Sequence, residues 1–336
     1  MIDWLKTQQR LLAASIALVA GALLSGCGGP AGGSAAAGTA GLPGASCGGG
    51  AAAGDIDVSM PSGGVQRTVI VHIPTGYINR TRVPLVLNLH GSESTAAAQE
   101  GFSGMDSLAD TVRFVVAYPQ AAIVAGSGYD WNIPGQPLFG GAPAPASAPD
   151  DVAFLTQVIH TLEARLCVDS TRIDVTGFSG GARMAGQLGC DLPTTIAAIA
   201  PVSGLRLPSP CGATRAVPVI SFHGTGDPID PYAGNGQPYW TYSVPVAATR
   251  WAAHDQCATS PGSTQPAPGV RLTLYTGCAG GAIVALYTLA GEGHEWPGGP
   301  RLPARDTRVL GPQSEAINAD ATMWQFFEAH PLPSQS

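Results

Sequence analysis

Residues 172–181 read Arg-Ile-Asp-Val-Thr-Gly-Phe-Ser-Gly-Gly (RIDVTGFSGG). The first five alternate in strand fashion, and the pattern beyond Gly181 is that of a helix running to Gly189. The corner between them fits Gly-x-Ser-x-Gly at Gly177, Ser179 and Gly181. A turn this tight leaves no room for bulky neighbours, so glycines flank the serine. The turn lifts Ser179 Oγ out of the sheet, at a helix N-terminus that favours developing negative charge. In a glycine-rich chain the motif alone is weak. Its place between a strand and a helix makes Ser179 the candidate nucleophile.

Working outward, the same alternation of elements recurs. Short apolar runs at 68–73, 84–90, 113–118, 196–201, 218–223 and 283–289 read as strands. Residues 151–166 place Val152, Leu155, Val158, Ile159, Leu162 and Leu166 at helical spacing, and 245–254 and 315–328 also read as helical. Strands interleaved with helices imply an α/β fold, a mainly parallel central sheet flanked by helices. Residues 120–149 are rich in Gly and Pro and lack periodicity, which predicts a long functional loop.

Further candidate residues stand at strand ends. His90-Gly91-Ser92 closes the run at 84–90. In enzymes with a Gly-x-Ser-x-Gly turn, one oxyanion donor comes from the loop after such a strand and the other from the residue after the nucleophile. Those donors are the backbone N–H groups of Ser92 and Gly180. Asp227 follows the run at 218–223, and His294 follows the run at 283–289. The order Ser179, Asp227, His294 is that of α/β-hydrolases. His294 is the expected base for the serine, and Asp227 the carboxylate that fixes its tautomer. Asp230 is the rival acid. His72, His160, His223, His254 and His330 read as structural. Trp131, Trp296 and Tyr232 are the expected aromatic walls of a substrate cleft.

Composition narrows the function classes. The chain has 336 residues, 45% hydrophobic and only 12% charged, with a formal charge of −7 and a single lysine, Lys6. Without a basic patch, nucleic-acid binding is not expected. No metal or other cofactor is expected.

The N-terminus reads as an address. Lys6 and Arg10 precede an apolar run from Leu11 to Leu24, the length of a signal-peptide core and short for a membrane span. Leu24-Ser25-Gly26-Cys27 resembles the lipobox of bacterial lipoproteins, which implies cleavage before Cys27 and lipidation of its thiol. An ordinary secretory signal cut further on is the alternative. By the same resemblance Gly28 implies an outer-membrane or surface location, with contact to the membrane only through the lipid. The expected division is a signal peptide at 1–26, a flexible Gly/Ala-rich spacer at 27–54 and a catalytic domain at 55–336. Beyond Cys27 there are six cysteines, an even number that reads as disulfides in an exported chain. The expected pairs are Cys257–Cys278 and Cys190–Cys211, each closing a short loop, which leaves Cys47–Cys167.

The segments LVLNLHGSEST (85–95), DDVAF (150–154), RIDVTGFSGGARM (172–184), FHGTGDPIDPY (222–232) and YTLAGEGHEWPGG (287–299) occur in a telling order and spacing. Together they resemble the LpqC-type, polyhydroxybutyrate depolymerase-like esterases, close to the feruloyl and acetylxylan esterases of carbohydrate esterase family one. The resemblance implies an α/β-hydrolase fold, a small or oligomeric ester as substrate, and a triad at Ser179, Asp227 and His294. The pair Asp150-Asp151 matches a family motif and reads as a helix cap. Two positions depart from the family. Gly180 stands where Asn is frequent, and Ser-Glu-Ser follows His90-Gly91 where relatives often carry Cys-x-Gln or a Gly-rich run. Acyl transfer to a sugar or lipid acceptor, peptide hydrolysis, and a surface lipoprotein that only binds are the competing readings.

Overall fold

β3 (Val83–Leu89) and β7 (Val168–Phe178) lie side by side near the middle of a ten-stranded sheet. The structure is a computed structural model and describes residues 51–78 and 80–333. The other strands of the sheet are β1 (Gly54–Ser62), β2 (Val65–Ile73), β4 (Val115–Pro119), β8 (Ile199–Val202), β9 (Val219–Gly224), β10 (Gly262–Ala267), β11 (Val270–Tyr275) and β12 (Val284–Leu289). Their order is β1-β2-β4-β3-β7-β8-β9-β12-β11-β10. The six central strands, β4 to β12, run parallel, while both flanks are antiparallel. This is the mainly parallel α/β sheet expected from the sequence.

The helices are α1 (Ala96–Ser103), α2 (Met105–Val112), α3 (Asp151–Arg165), α4 (Gly180–Asp191), α5 (Val244–His254), α6 (Ala304–Leu310) and α7 (Ala319–Ala329). Period-two alternation sorts the strand side chains onto two cores. Leu85, Leu87 and Leu89 join Phe154, Ile159, Met184 and Trp251 of α3, α4 and α5. Val86 points the other way and joins Met105, Phe326 and Phe327 of α2 and α7. Every residue of β3 is buried, so its apolar run needs no polar alternation. Each such side chain contributes about 1.5–3 kcal/mol by leaving water.

Local chemistry explains where helices begin. Asp150 Oδ1 accepts from Ala153 N–H at 2.9 Å and caps α3. Asp151 is buried and pairs with Arg67 at 2.6 Å, a long-range ion pair that no local pattern announces. The final helix starts at Ala319, later than the sequence predicts, because Asn318 Oδ1 takes the Ala321 N–H at 2.8 Å. The stretch 120–149 is not a bare loop. It holds a hairpin of β5 (Ile123–Ala125) and β6 (Gly128–Asp130), and a 3₁₀ turn at Phe139–Gly141.

The Cys190–Cys211 and Cys257–Cys278 disulfides are formed as expected. The expected signal peptide, Cys27, most of the spacer and Cys47, the expected partner of Cys167, lie outside the described residues. Among the described residues no helix is long and apolar enough to cross a membrane.

Candidate active site

The strand–turn–helix around Ser179 has the tight geometry its sequence requires. Ser179 sits at φ 54°, ψ −112°, a left-handed conformation that costs a non-glycine residue about 1–3 kcal/mol. Its N–H donates to Val202 O at 2.9 Å, and its carbonyl accepts from Arg183 N–H at 3.1 Å, so β8 and α4 hold it from both sides. Gly181 is packed against the carbonyls of Leu89 and His90, and a Cβ on Gly177 would stand 2.6 Å from Gly181 C. Larger side chains at 177 or 181 would push β7, α4 and the end of β3 apart.

The loop after β3 lies directly against this turn. A Cβ on Gly91 would stand 3.4 Å from Ser179 Cβ. One on Gly180 would stand 3.0 Å from the Ser92 amide nitrogen and 2.5 Å from Ser92 Oγ. The two expected oxyanion donors are therefore neighbours. The same contact explains why glycine stands at 180 here, because the Ser92 hydroxyl occupies the space of a larger side chain.

His90 anchors that loop. Its Nδ1–H donates to Gly91 O at 2.7 Å, while Nε2 accepts from Ala121 N–H at 3.1 Å and lies 3.0 Å from Gln120 Nε2. Burial drives its pKa down to about 4; the Gly91 hydrogen bond opposes this and the Arg67 charge adds to it. His90 is thus neutral near pH 7 and works as a brace.

His294 and Asp227 meet after the ends of β12 and β9. His294 Nδ1 lies 2.7 Å from Asp227 Oδ2. Asp227 Oδ1 accepts from Ile229 N–H and Asp230 N–H, both at 2.8 Å. Burial pushes the Asp227 carboxyl up, but the His294 charge and the hydrogen bonds of His223 and His294 outweigh it and hold the group well below the usual carboxylate range. His223 Nε2 bonds to Asp230 O at 2.8 Å and lies 3.3 Å from Asp227 Oδ2, so this histidine braces the Asp227 turn. Neither oxygen of the buried Asp230 carboxylate has a hydrogen-bond partner, so it makes no bond to His294. Beside this group, burial pushes Glu295 up to about 8, opposed by a hydrogen bond from Ser314 N–H and aided by Glu292.

Ser179 and His294 open onto one cleft of about 310 Å³. Ser92 and Gly91 form part of its wall, and Phe102, Phe139, Phe178, Ile229, Leu302 and Leu310 supply its apolar surface. The expected aromatic walls are corrected. Trp131 is buried in the core, packs its ring at a 33° tilt against His90 and donates to the His90 carbonyl at 2.7 Å. Trp296 is fully buried behind Phe102 and donates to Asp320 at 2.8 Å. Tyr232 faces a separate polar groove of about 610 Å³ and bonds to Thr288. That groove is larger, but neither Ser179 nor His294 lines it. Aromatic type predicted burial better than position. The walls come from α1, the end of β7, the 3₁₀ turn at Phe139–Gly141, the loop after β9 and the start and end of the 302–310 segment, and apart from Phe178, which directly precedes Ser179, no local signal singles them out.

A different group could hold a cation by type. Ligand atoms of Asp55, His72 and Asp106 lie within 4.8 Å of one another. His72 already bonds to Asp55 at 2.6 Å and Asp110 at 3.2 Å, and none of these residues lines the cleft.

Known proteins agree with this architecture. Residues 68–234 match the family described as Esterase PHB (polyhydroxybutyrate) depolymerase. Feruloyl esterase B of Piromyces equi is 31% identical over 243 residues, 68% of this chain, but the match spans only 42% of that protein's length. The protein NocK of Nocardia uniformis subsp. tsuyamanensis, assigned as an esterase, is 31% identical over 71% of this chain and 73% of its own. The acetyl xylan esterase from Aspergillus awamori shares the fold, with a TM-score of 0.53 and 16% identity over 78% of this chain and 94% of that one. The chain belongs to the family of PHB depolymerase-type esterases and has the α/β-hydrolase fold.

Proposed function

We propose that this chain hydrolyses carboxylic esters through an acyl-enzyme on Ser179. His294 takes the serine proton during attack and returns it to the leaving alcohol. Asp227 keeps the His294 proton on Nδ1, so that Nε2 is free to act as base, and it stabilises the imidazolium. The N–H groups of Ser92 and Gly180 receive the oxyanion. Water then attacks the acyl-enzyme by the same steps in reverse order. The 2.7 Å contact between His294 Nδ1 and Asp227 Oδ2, in a chain whose Ser179 lines the same cleft as His294, carries this reading.

The cleft favours an ester with one modest apolar group. About 310 Å³ is at the small end for ligand pockets, and three phenylalanines line it. A feruloyl ring or a 3-hydroxybutyryl unit, the chemistry named by the relatives, has the right size and polarity. Turnover of p-nitrophenyl butyrate tests the reading. Wild type should hydrolyse it, and Ser179→Ala should lose about 10⁴-fold or more. A Ser179→Ala protein that kept its rate would end the proposal.

Export and lipid attachment at Cys27 complete the proposal, on the strength of residues 1–27 alone. Cells fed labelled palmitate should label the wild-type chain and not Cys27→Ala. Equal labelling of both would remove the anchor.

A further inference from the structure

Arg183 lies one helical turn beyond Ser179 and is 3% exposed. Its Nη2 donates to Ser92 Oγ at 3.3 Å. Its guanidinium carbon Cζ stands 5.2 Å from the centre of the Tyr239 ring. Its Nη1 is buried without a hydrogen-bond partner, and among the described residues Arg183 joins no ion pair. A buried guanidinium without a carboxylate is costly, so a bare structural role leaves it unexplained.

The donor inventory gives the Ser92 hydroxyl a direction. A guanidinium can only donate, so Ser92 Oγ accepts from Arg183 and its own O–H must donate elsewhere. Among the described residues that O–H meets no acceptor. Ser92 lines the cleft, and its Oγ lies 2.5 Å from where a Cβ of Gly180 would stand. The hydroxyl is therefore beside both backbone donors proposed for the oxyanion.

We propose that the Ser92 hydroxyl is a third donor to the oxyanion, oriented and polarised by Arg183. This rests on the ester hydrolysis proposed above. Attack of Ser179 on the ester carbonyl puts a full negative charge on the carbonyl oxygen. The Ser92 O–H hydrogen-bonds that oxygen, and Arg183 strengthens the bond by drawing electron density from Oγ. No proton leaves Ser92. Arg183 acts through Ser92 and is a positioning residue. The hydroxyl touches the reacting atom and is catalytic.

The test compares wild type, Ser92→Ala, Arg183→Met and the double variant on p-nitrophenyl butyrate. Ser92→Ala keeps the backbone N–H and should lower kcat about 100-fold, the usual effect of one oxyanion donor, with KM within about twofold. Arg183→Met should lower kcat about tenfold when Ser92 is present and have no further effect when Ser92 is already Ala. A kcat for Ser92→Ala within about threefold of wild type overturns the proposal. So does an equal Arg183→Met loss in both backgrounds, because the arginine would then act independently. If Arg183→Met does not fold, Ser92→Ala, which removes a single oxygen, still decides the matter. An inactive wild type, or an active Ser179→Ala, would instead refute the underlying hydrolysis.

Discussion

Replacing Asp227 by Asn exchanges one oxygen for an NH₂ and leaves the side-chain shape almost unchanged. The surrounding hydrogen bonds dictate which atom goes where. Oδ1 accepts two backbone N–H groups at 2.8 Å, so the amide oxygen must stay there. The NH₂ then takes the place of Oδ2 and faces His294 Nδ1, 2.7 Å away in the wild type. Two donors cannot share that contact, so the His294 proton moves to Nε2. A protonated Nε2 cannot take the proton of Ser179. The expected loss in kcat is about 10⁴-fold, as for a triad with the wrong tautomer, or about 5 kcal/mol of barrier. Asp230→Asn is the control, since its carboxylate bonds to nothing in the triad. It should stay within about threefold of wild type on p-nitrophenyl butyrate. A loss under tenfold for Asp227→Asn, or a thousandfold loss for Asp230→Asn, would refute the reasoning.

Other outcomes follow from the same contacts. His90 is held at about 4 against ~6.5 in an unfolded chain, so the unfolded state gains a proton first as pH falls. This withdraws up to about 3 kcal/mol of stability between roughly pH 6.5 and pH 4. Urea unfolding of wild type and His90→Gln should therefore converge with acid, and a constant gap would contradict it. Phe139→Ala opens the apolar wall and should raise KM for methyl ferulate about fivefold while sparing small acetyl esters. An equal effect on both would place Phe139 outside the acyl or aryl contact. The Cys190–Cys211 bridge spans a separation of 21 residues, and Cys190→Ala with Cys211→Ala should cost about 3 kcal/mol, seen as a fall in Tm of roughly 6–10 °C. An unchanged Tm would mean that this bridge adds nothing to stability.

Much of the fold was legible because its rules are local. β3 and β12 announced themselves as apolar runs, and the Ser179 turn needs glycines within two residues on either side. Asp227 and His294 were readable from order and strand ends, and the structure brings them into contact. What escaped depends on distant partners. β10 is mostly exposed, so its residues show no core-facing pattern, and it exists because β11 pairs with it. The Asp151–Arg67 pair joins residues 84 apart. Trp131 and Trp296 were read as cleft walls because aromatic rings suit both clefts and cores, and only packing separates the two. Phe102, Leu302 and Leu310 carry no mark in sequence that sets them beside Ser179. Arg183 was passed over as one more residue of a helix, although it touches Ser92.

The central claim is that Ser179 is made nucleophilic by His294. Incubation with a fluorophosphonate, followed by digestion and mass spectrometry, tests it directly. The account predicts a single adduct on Ser179 in the wild type and labelling at least a thousandfold slower in His294→Ala. An adduct on another residue, or equal labelling of the two proteins, would contradict it.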